Sequence, residues 1–161
     1  MFTIAVIPMA DNHTPEARSY NMSRIRSTNT KPEEQVRKAL FSRGFRYRKN
    51  DKRFPGKPDI VLPKYHTVIF VNGCFWHMHD CSGFVWPKSR LDYWRPKLIH
   101  NAERDRKNYS ELEDNGWNVI VVWECQLKKD LFDSTINAIV ELITNNPGSN
   151  GAPSACWKKY D

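Results

Sequence analysis

The stretch VIFVNGCFWHMHDC, Val68 to Cys81, changes character after its fourth residue: a short apolar run gives way to Asn72-Gly73 and then to cysteine, histidine and aromatic residues. Val68 to Val71 reads as a strand, and Asn72-Gly73 as the turn that ends it. The segment beyond that turn, to about Lys88, is too polar and irregular for a core element. It is a loop, and loops held by rigid elements are where function concentrates. Cys74, His79 and Cys81 fall within eight positions of one another there.

Working outward, Pro55-Gly56-Lys57-Pro58 signals a turn before a strand at Asp59 to Leu62, and Phe45 to Arg48 alternates aromatic and basic residues as a third strand. Upstream, Thr30, Pro32 and Glu33 open an amphipathic helix at 31–42, with Val36, Leu40 and Phe41 at helical spacing and Gly44 as its stop. Ala17 to Arg26 reads as a short basic helix, with Arg18, Arg24 and Arg26 around Met22. Downstream, Ser89 to Trp94 predicts a short helix and Pro96 to Asp114 a longer one. Ile99, Ala102 and Leu112 should face inward on it, and Arg104, Arg106 and Lys107 outward. Asn115-Gly116 ends that helix. The nearly all-apolar Trp117 to Trp123 predicts a strand buried on both faces, and Asp130 to Thr144 a helix with Leu131, Ile136, Ile139, Val140 and Ile143 as its core stripe. This order places the chain in the α/β class, with a central mixed sheet flanked by helices. The 161 residues fit one domain at 17–146, a flexible N-terminal extension at 1–16 and a disordered Gly, Pro and Ser-rich tail at 147–161 that holds Cys156.

Lysine and arginine number 25 against 18 acidic residues, a net charge of +7, and the pI is near 9.3. That balance favours a polyanionic partner, although ribosomal, membrane-surface and heparin-binding proteins share it. No run approaches the roughly 18 apolar residues of a membrane span. Met1 to Pro8 is apolar but has no basic lead and runs into a polar, acidic segment, so it does not read as a cleaved secretory signal. Cysteines placed beside histidines indicate a reducing, cytoplasmic compartment.

Cys125, at the end of the last strand, completes a set of three thiols and one imidazole with Cys74, His79 and Cys81. Four protein ligands leave no open position, so a zinc ion there would be structural. Taken singly, each cysteine also reads as a small core residue. Asp59, beside a turn at the start of a strand, and Glu33 on the neighbouring helix have the chemistry to hold magnesium for phosphodiester cleavage. His77 has the pKa range of a general base. Glu33 stands at capping-box spacing from Thr30, Asp59 also suits a plain strand start, and spacing does not decide whether His77 or His79 joins the cysteines. Phe75 and Trp76 are apolar in a polar loop, as wedges that unstack a duplex are, and Met22 among arginines is a second candidate. The competing reading makes all three ordinary core residues.

These residues resemble the very short patch repair (Vsr) endonucleases from about residue 17 to 126. The shared features are Asn21-Met22-Ser23-Arg24-Ile25, Glu33, Pro55-Gly56-Lys57-Pro58-Asp59, Gly73 to His77 and Trp123-Glu124-Cys125. The resemblance implies a restriction-endonuclease-like fold and magnesium-dependent nicking on the 5′ side of the thymine in a T:G mismatch of double-stranded DNA, repairing deaminated 5-methylcytosine. By the same resemblance, Asp59 and the main-chain carbonyl of Val71 bind magnesium, His77 is the general base, and Glu33 supports metal-bound water. Cys74, His79, Cys81 and Cys125 hold zinc, and Met22, Phe75 and Trp76 intercalate, with Arg24, Arg26 and Asn72 against the DNA. A mismatch-repair matchmaker protein and a cytosine-5 methyltransferase become pathway partners of a monomeric, nucleoid-associated enzyme. Where members of the family often carry Thr-His, this chain has Val71-Asn72; a carbonyl ligand survives that change and an imidazole does not. Two other functions fit the same residues: a non-catalytic zinc module binding nucleic acid, and a zinc hydrolase with His77, His79 and Asp59 around an open metal.

Overall fold

The structure, a computed structural model, describes residues 14–24 and 28–146. Helix α1 (Pro15–Arg24) starts two residues before the expected Ala17. Thr14 accepts the Ala17 N–H at 3.2 Å and Pro15 fills the first helical position, where a missing N–H costs nothing. Met22 and Arg24 belong to α1; Arg26, most of the N-terminal extension and the 147–161 tail with Cys156 lie outside the described residues. Helix α2 (Lys31–Ser42) has the predicted bounds.

The strand expected at Phe45 to Arg48 is displaced to β1 (Arg48–Lys49). The Gly44 and Phe45 N–H groups bond back to Phe41 and Leu40 of α2, so Phe45 is spent closing the helix and its ring enters the core. β2 (Ile60–Leu62), β3 (Thr67–Asn72) and β4 (Asn118–Trp123) come next, with α3 (Leu91–Asp114) between the last two and α4 (Phe132–Thr144) after them. The sheet order is β1-β2-β3-β4; the first two pairings are antiparallel and β3 to β4 is parallel. This is the expected mixed sheet flanked by helices.

Alternation along the strands builds two cores. Ile60, Leu62, Ile69, Ile120 and Val122 meet Val36 and Leu40 of α2 and Ile136, Ile139 and Ile143 of α4. Val61, Val68 and Phe70 point the other way, onto Phe54, Trp117 and Leu112 of α3. The strands buried on both faces are therefore β2 and β3, inside the sheet, and not β4 as the apolar run predicted. As the edge strand, β4 buries Ile120 and Val122, while Val119 and Val121 are only partly covered.

Two expectations for α3 are also corrected. The helix runs unbroken through Pro96. The lost N–H falls near the helix start, where its partner would be the carbonyl of Asp92, an exposed residue. The inward residues are Leu98 and Leu112, both fully buried, whereas Ile99 is 39% exposed. Leu131, the residue just before α4, likewise lies outside, 45% exposed, and Ile136, Ile139 and Ile143 form the helix's buried stripe. No helix among the described residues is long and apolar enough to cross a membrane.

Candidate active site and metal centre

Leu98 and Leu112 are fourteen residues apart, close to four helical turns, so the positions between them on the same face also point inward. Those positions hold Asn101, Asp105 and Tyr109, polar groups that sequence patterning alone did not single out. Asp105 and Tyr109 form part of one wall of an open cleft of about 1090 Å³. Facing them are Asp59, Asn72 at the end of β3, Glu33 in the first turn of α2, and His77 from the loop.

The turn before Asp59 is packed directly onto α3. Gly56 has φ +69°, and a Cβ there would sit 2.9 Å from Asn108 Nδ2 and 3.1 Å from Phe70 Cε1. Gly56→Ala should therefore lower stability by roughly 1–3 kcal/mol, through backbone strain and the displaced helix, read as a fall in melting temperature of several degrees.

Asp59 Oδ2 accepts the Val71 N–H at 2.7 Å. Burial raises its pKa from 3.8 to about 6; the Val71 hydrogen bond opposes this, Glu33 adds to it, and Arg37 and His77 oppose it. Arg37, only 1% exposed, was unforeseen. It donates to the Asp59 main-chain carbonyl at 2.9 and 3.3 Å and pairs with Glu33 Oε2 at 3.1 Å, tying α2 to the start of β2. Glu33 Oε2 also accepts the Asn29 N–H at 2.8 Å, and Oε1 accepts the Thr30 hydroxyl proton at 2.8 Å. Glu33 thus closes the helix start and lines the cleft at once, and Oε1 keeps a lone pair for a further donor.

Loop geometry separates the two histidines. Met78 between them has φ 53°, a left-handed turn that sends their side chains apart. His77 Nδ1 meets Asp105 Oδ2, and Asn101 Nδ2 donates to the Trp76 carbonyl at 3.2 Å, so α3 holds the loop at two adjacent residues. An ionised Asp105 requires the proton on Nδ1, leaving the lone pair on His77 Nε2. His79 instead stacks on Trp123, ring centroids 4.1 Å apart and 5° from parallel, with Nδ1 3.5 Å from Cys125 Sγ.

The ligand atoms of Cys74, His79, Cys81 and Cys125 all lie within 4.8 Å of one another. Tetrahedral zinc with thiolate bonds of about 2.3 Å needs sulfur separations near 3.8 Å, so small side-chain movements close the set around one ion. Burial pushes the Cys74 thiol up to about 12, and the other two thiols crowd it. Such a group ionises only beside a cation, as this ligand set supplies. The cluster has the chemistry to hold a metal that would tie the loop to the end of β4. It shares no ligand with Asp59 or His77, which removes the basis for a zinc hydrolase built on His77, His79 and Asp59.

Phe75 and Trp76 are half-buried and belong to neither core cluster. They pack with Trp94, at 5.5 and 5.9 Å between centroids, in an aromatic group beside the cleft that includes Tyr93 and Phe84. Lys97 Nζ lies 5.2–5.9 Å from the ring centroids of Tyr93, Trp94 and Trp76. Trp94 and Lys97 escaped the sequence reading, although an aromatic pair with a lysine three residues later on an exposed helix start was a visible signal. Arg24 is exposed on α1, its Nη2 donating to Tyr20 at 2.7 Å.

Carboxylates and an oriented imidazole at the strand ends of a mixed sheet, beside basic and aromatic surface, define a hydrolase of the nuclease type, with a separate Cys/His metal centre. Comparison with known proteins agrees. The family model described as DNA mismatch endonuclease Vsr matches residues 10–83. The type II nicking enzyme V.NmeAIP of Neisseria meningitidis serogroup A is 54% identical over 136 residues, 84% of this chain and 97% of its own. The type II nicking enzyme V.XorIIP of Xanthomonas oryzae pv. oryzae is 50% identical over 119 residues, 74% and 88% of the two chains. The DNA mismatch endonuclease Vsr of Escherichia coli K12 is 42% identical over 120 residues, 74% and 77% of the two chains. The chain belongs to the Vsr family of DNA mismatch endonucleases.

Proposed function

We propose that this protein nicks one strand of duplex DNA on the 5′ side of the thymine in a T:G mismatch, the lesion left when 5-methylcytosine deaminates. The observation that carries the reading is the His77–Asp105 pair facing Asp59 across one cleft, with the Phe75, Trp76 and Trp94 rings at its edge. Rings outside both cores are free to enter a base step, and a mismatched step costs less to open. Met22 and Arg24, both on α1, and Arg26 complete the proposed duplex contacts.

Asp59 suits magnesium. One carboxylate oxygen is held by Val71, and among the described residues the other has no hydrogen-bond partner, which leaves it, with the Val71 carbonyl, as the metal-facing pair. When bound, the ion supplies charge neutralisation at the phosphate and the leaving oxygen. His77 Nε2 takes a proton from a water in the cleft as that water's oxygen bonds to phosphorus and the bond to the leaving oxygen breaks. Glu33 Oε1 holds that water, and Asp105 keeps His77 in the tautomer the step needs. Zinc in the Cys74, His79, Cys81 and Cys125 set fixes the loop. A matchmaker protein, a cytosine-5 methyltransferase, the cytoplasmic nucleoid and a monomeric state complete the proposal.

The test is a labelled duplex carrying one T:G pair, with a C:G control, incubated with and without magnesium. A single nick 5′ of the thymine, only with magnesium, is expected; binding without scission under any divalent ion would overturn the reading. Asp105→Asn should lower the single-turnover rate about 10²-fold while leaving duplex affinity close to wild type, because the imidazole loses its tautomer rather than its place.

A further inference from the structure

Asn72 and Tyr109 form a pair that the proposed nicking steps do not use. Asn72 is 4% exposed at the end of β3, and its Nδ2 donates to the Tyr109 hydroxyl oxygen at 2.8 Å. The Tyr109 ring lies against Phe70, centroids 4.8 Å apart. Ring and hydroxyl are thus both held, and both residues line the cleft with Asp59 and Asp105.

A phenol oxygen that accepts a hydrogen bond still has its own proton to give, and among the described residues it gives it to none. Burial raises the Tyr109 pKa above the ordinary 10, opposed by the Asn72 hydrogen bond and reinforced by Asp105 and Asp59, so the phenol is a neutral donor at any working pH. Four carboxylates, Glu33, Asp59, Asp105 and Glu124, and three cations, Lys52, Lys57 and Arg104, line this cleft, and a phosphate entering it is best held by donors already fixed in place. Asn72 offers the phosphate little directly, because it is only 4% exposed and one of its two amide protons is committed to Tyr109.

We propose that Tyr109 donates a hydrogen bond to one non-bridging oxygen of the scissile DNA phosphate, and that Asn72 is the positioning residue that aims its hydroxyl. This rests on the reading of the protein as a T:G nicking enzyme.

The test uses the full chain with its metals, the T:G duplex and single-turnover conditions. Tyr109→Phe should nick roughly 10–100-fold more slowly, the range for a hydrogen bond to a charged group, with a melting temperature lower by no more than the several degrees that the lost Asn72 acceptor accounts for. Asn72→Ala should slow nicking by a smaller factor, and should add nothing when combined with Tyr109→Phe. Sulfur in place of each non-bridging oxygen in turn should slow wild-type nicking at one oxygen more than the other, and Tyr109→Phe should lose that difference. Tyr109→Phe within twofold of wild type, additive effects in the double variant, or an unchanged sulfur preference would each overturn the proposal. If wild type nicks and Asp59→Asn does not while Tyr109→Phe behaves as wild type, this inference fails alone. If wild type does not nick the T:G duplex, the functional reading fails first.

Discussion

Asp59→Asn is expected to abolish nicking and to stabilise the protein in the same stroke. The variant keeps an oxygen for the Val71 N–H but loses the charge that draws magnesium, and several kcal/mol of transition-state stabilisation is on the order of 10³-fold in rate. The stability change stems from the raised pKa. Proton uptake by Asp59 on folding contributes fully below 3.8 and is lost as pH rises through about 6. Above that, folding carries a buried carboxylate, at roughly 3 kcal/mol for the difference between 3.8 and about 6. Without added magnesium, the variant should melt several degrees above wild type at pH 8, with the gap closing toward pH 4. Magnesium should raise the wild-type melting temperature at pH 8 and leave the variant's unchanged. A variant that melts below wild type at pH 8 would contradict this account of the site.

Cys125→Ser should have the largest structural effect. Cys125 lies just past β4 and is the one ligand of its set outside the loop, so losing it frees the loop from the sheet. Structural zinc contributes on the order of 10 kcal/mol in small domains, and losing one of four ligands should cost about 3–5 kcal/mol here, or a fall of 10 °C or more in melting temperature. Bound zinc should drop from one equivalent to none. Nicking should fall with it, because His77 meets Asp105 only while the loop is held against α3. Retained zinc with an unchanged melting temperature would show that the four residues are an ordinary buried cluster.

The two halves of the site differ in how far the sequence revealed them. The metal set was readable because cysteine and histidine are uncommon and three of the four lie in one short loop. Asp59 and Glu33 were readable because a turn before a strand and a capping spacing before a helix are local patterns. His77 and His79 were not separable from spacing, since both lie between the same cysteines; the left-handed turn at Met78 and the two surfaces on either side part them. Asp105, Asn101 and Tyr109 were missed because Pro96 reads as a helix boundary and Ile99 as the inward residue. That one-residue error in register turns a helix by about 100° and hides a polar stripe. The burial of Trp117 to Trp123 was misjudged for a related reason: two apolar strands look alike until pairing decides which lies inside the sheet.

Residue chemistry and short-range pattern were therefore enough to specify a mixed sheet flanked by helices, a loop of metal-ligand type and a carboxylate at a strand start, because each depends on neighbours a few positions away. Which imidazole faces the cleft, which face of α3 completes it, and which hydroxyl Asn72 directs depend on contacts between segments 28 to 37 residues apart. Those contacts exist only once two cores have formed on opposite sides of β3 and brought α3 down over the turn at Gly56. Packing, which is non-local, set the orientation of groups whose identity was already plain.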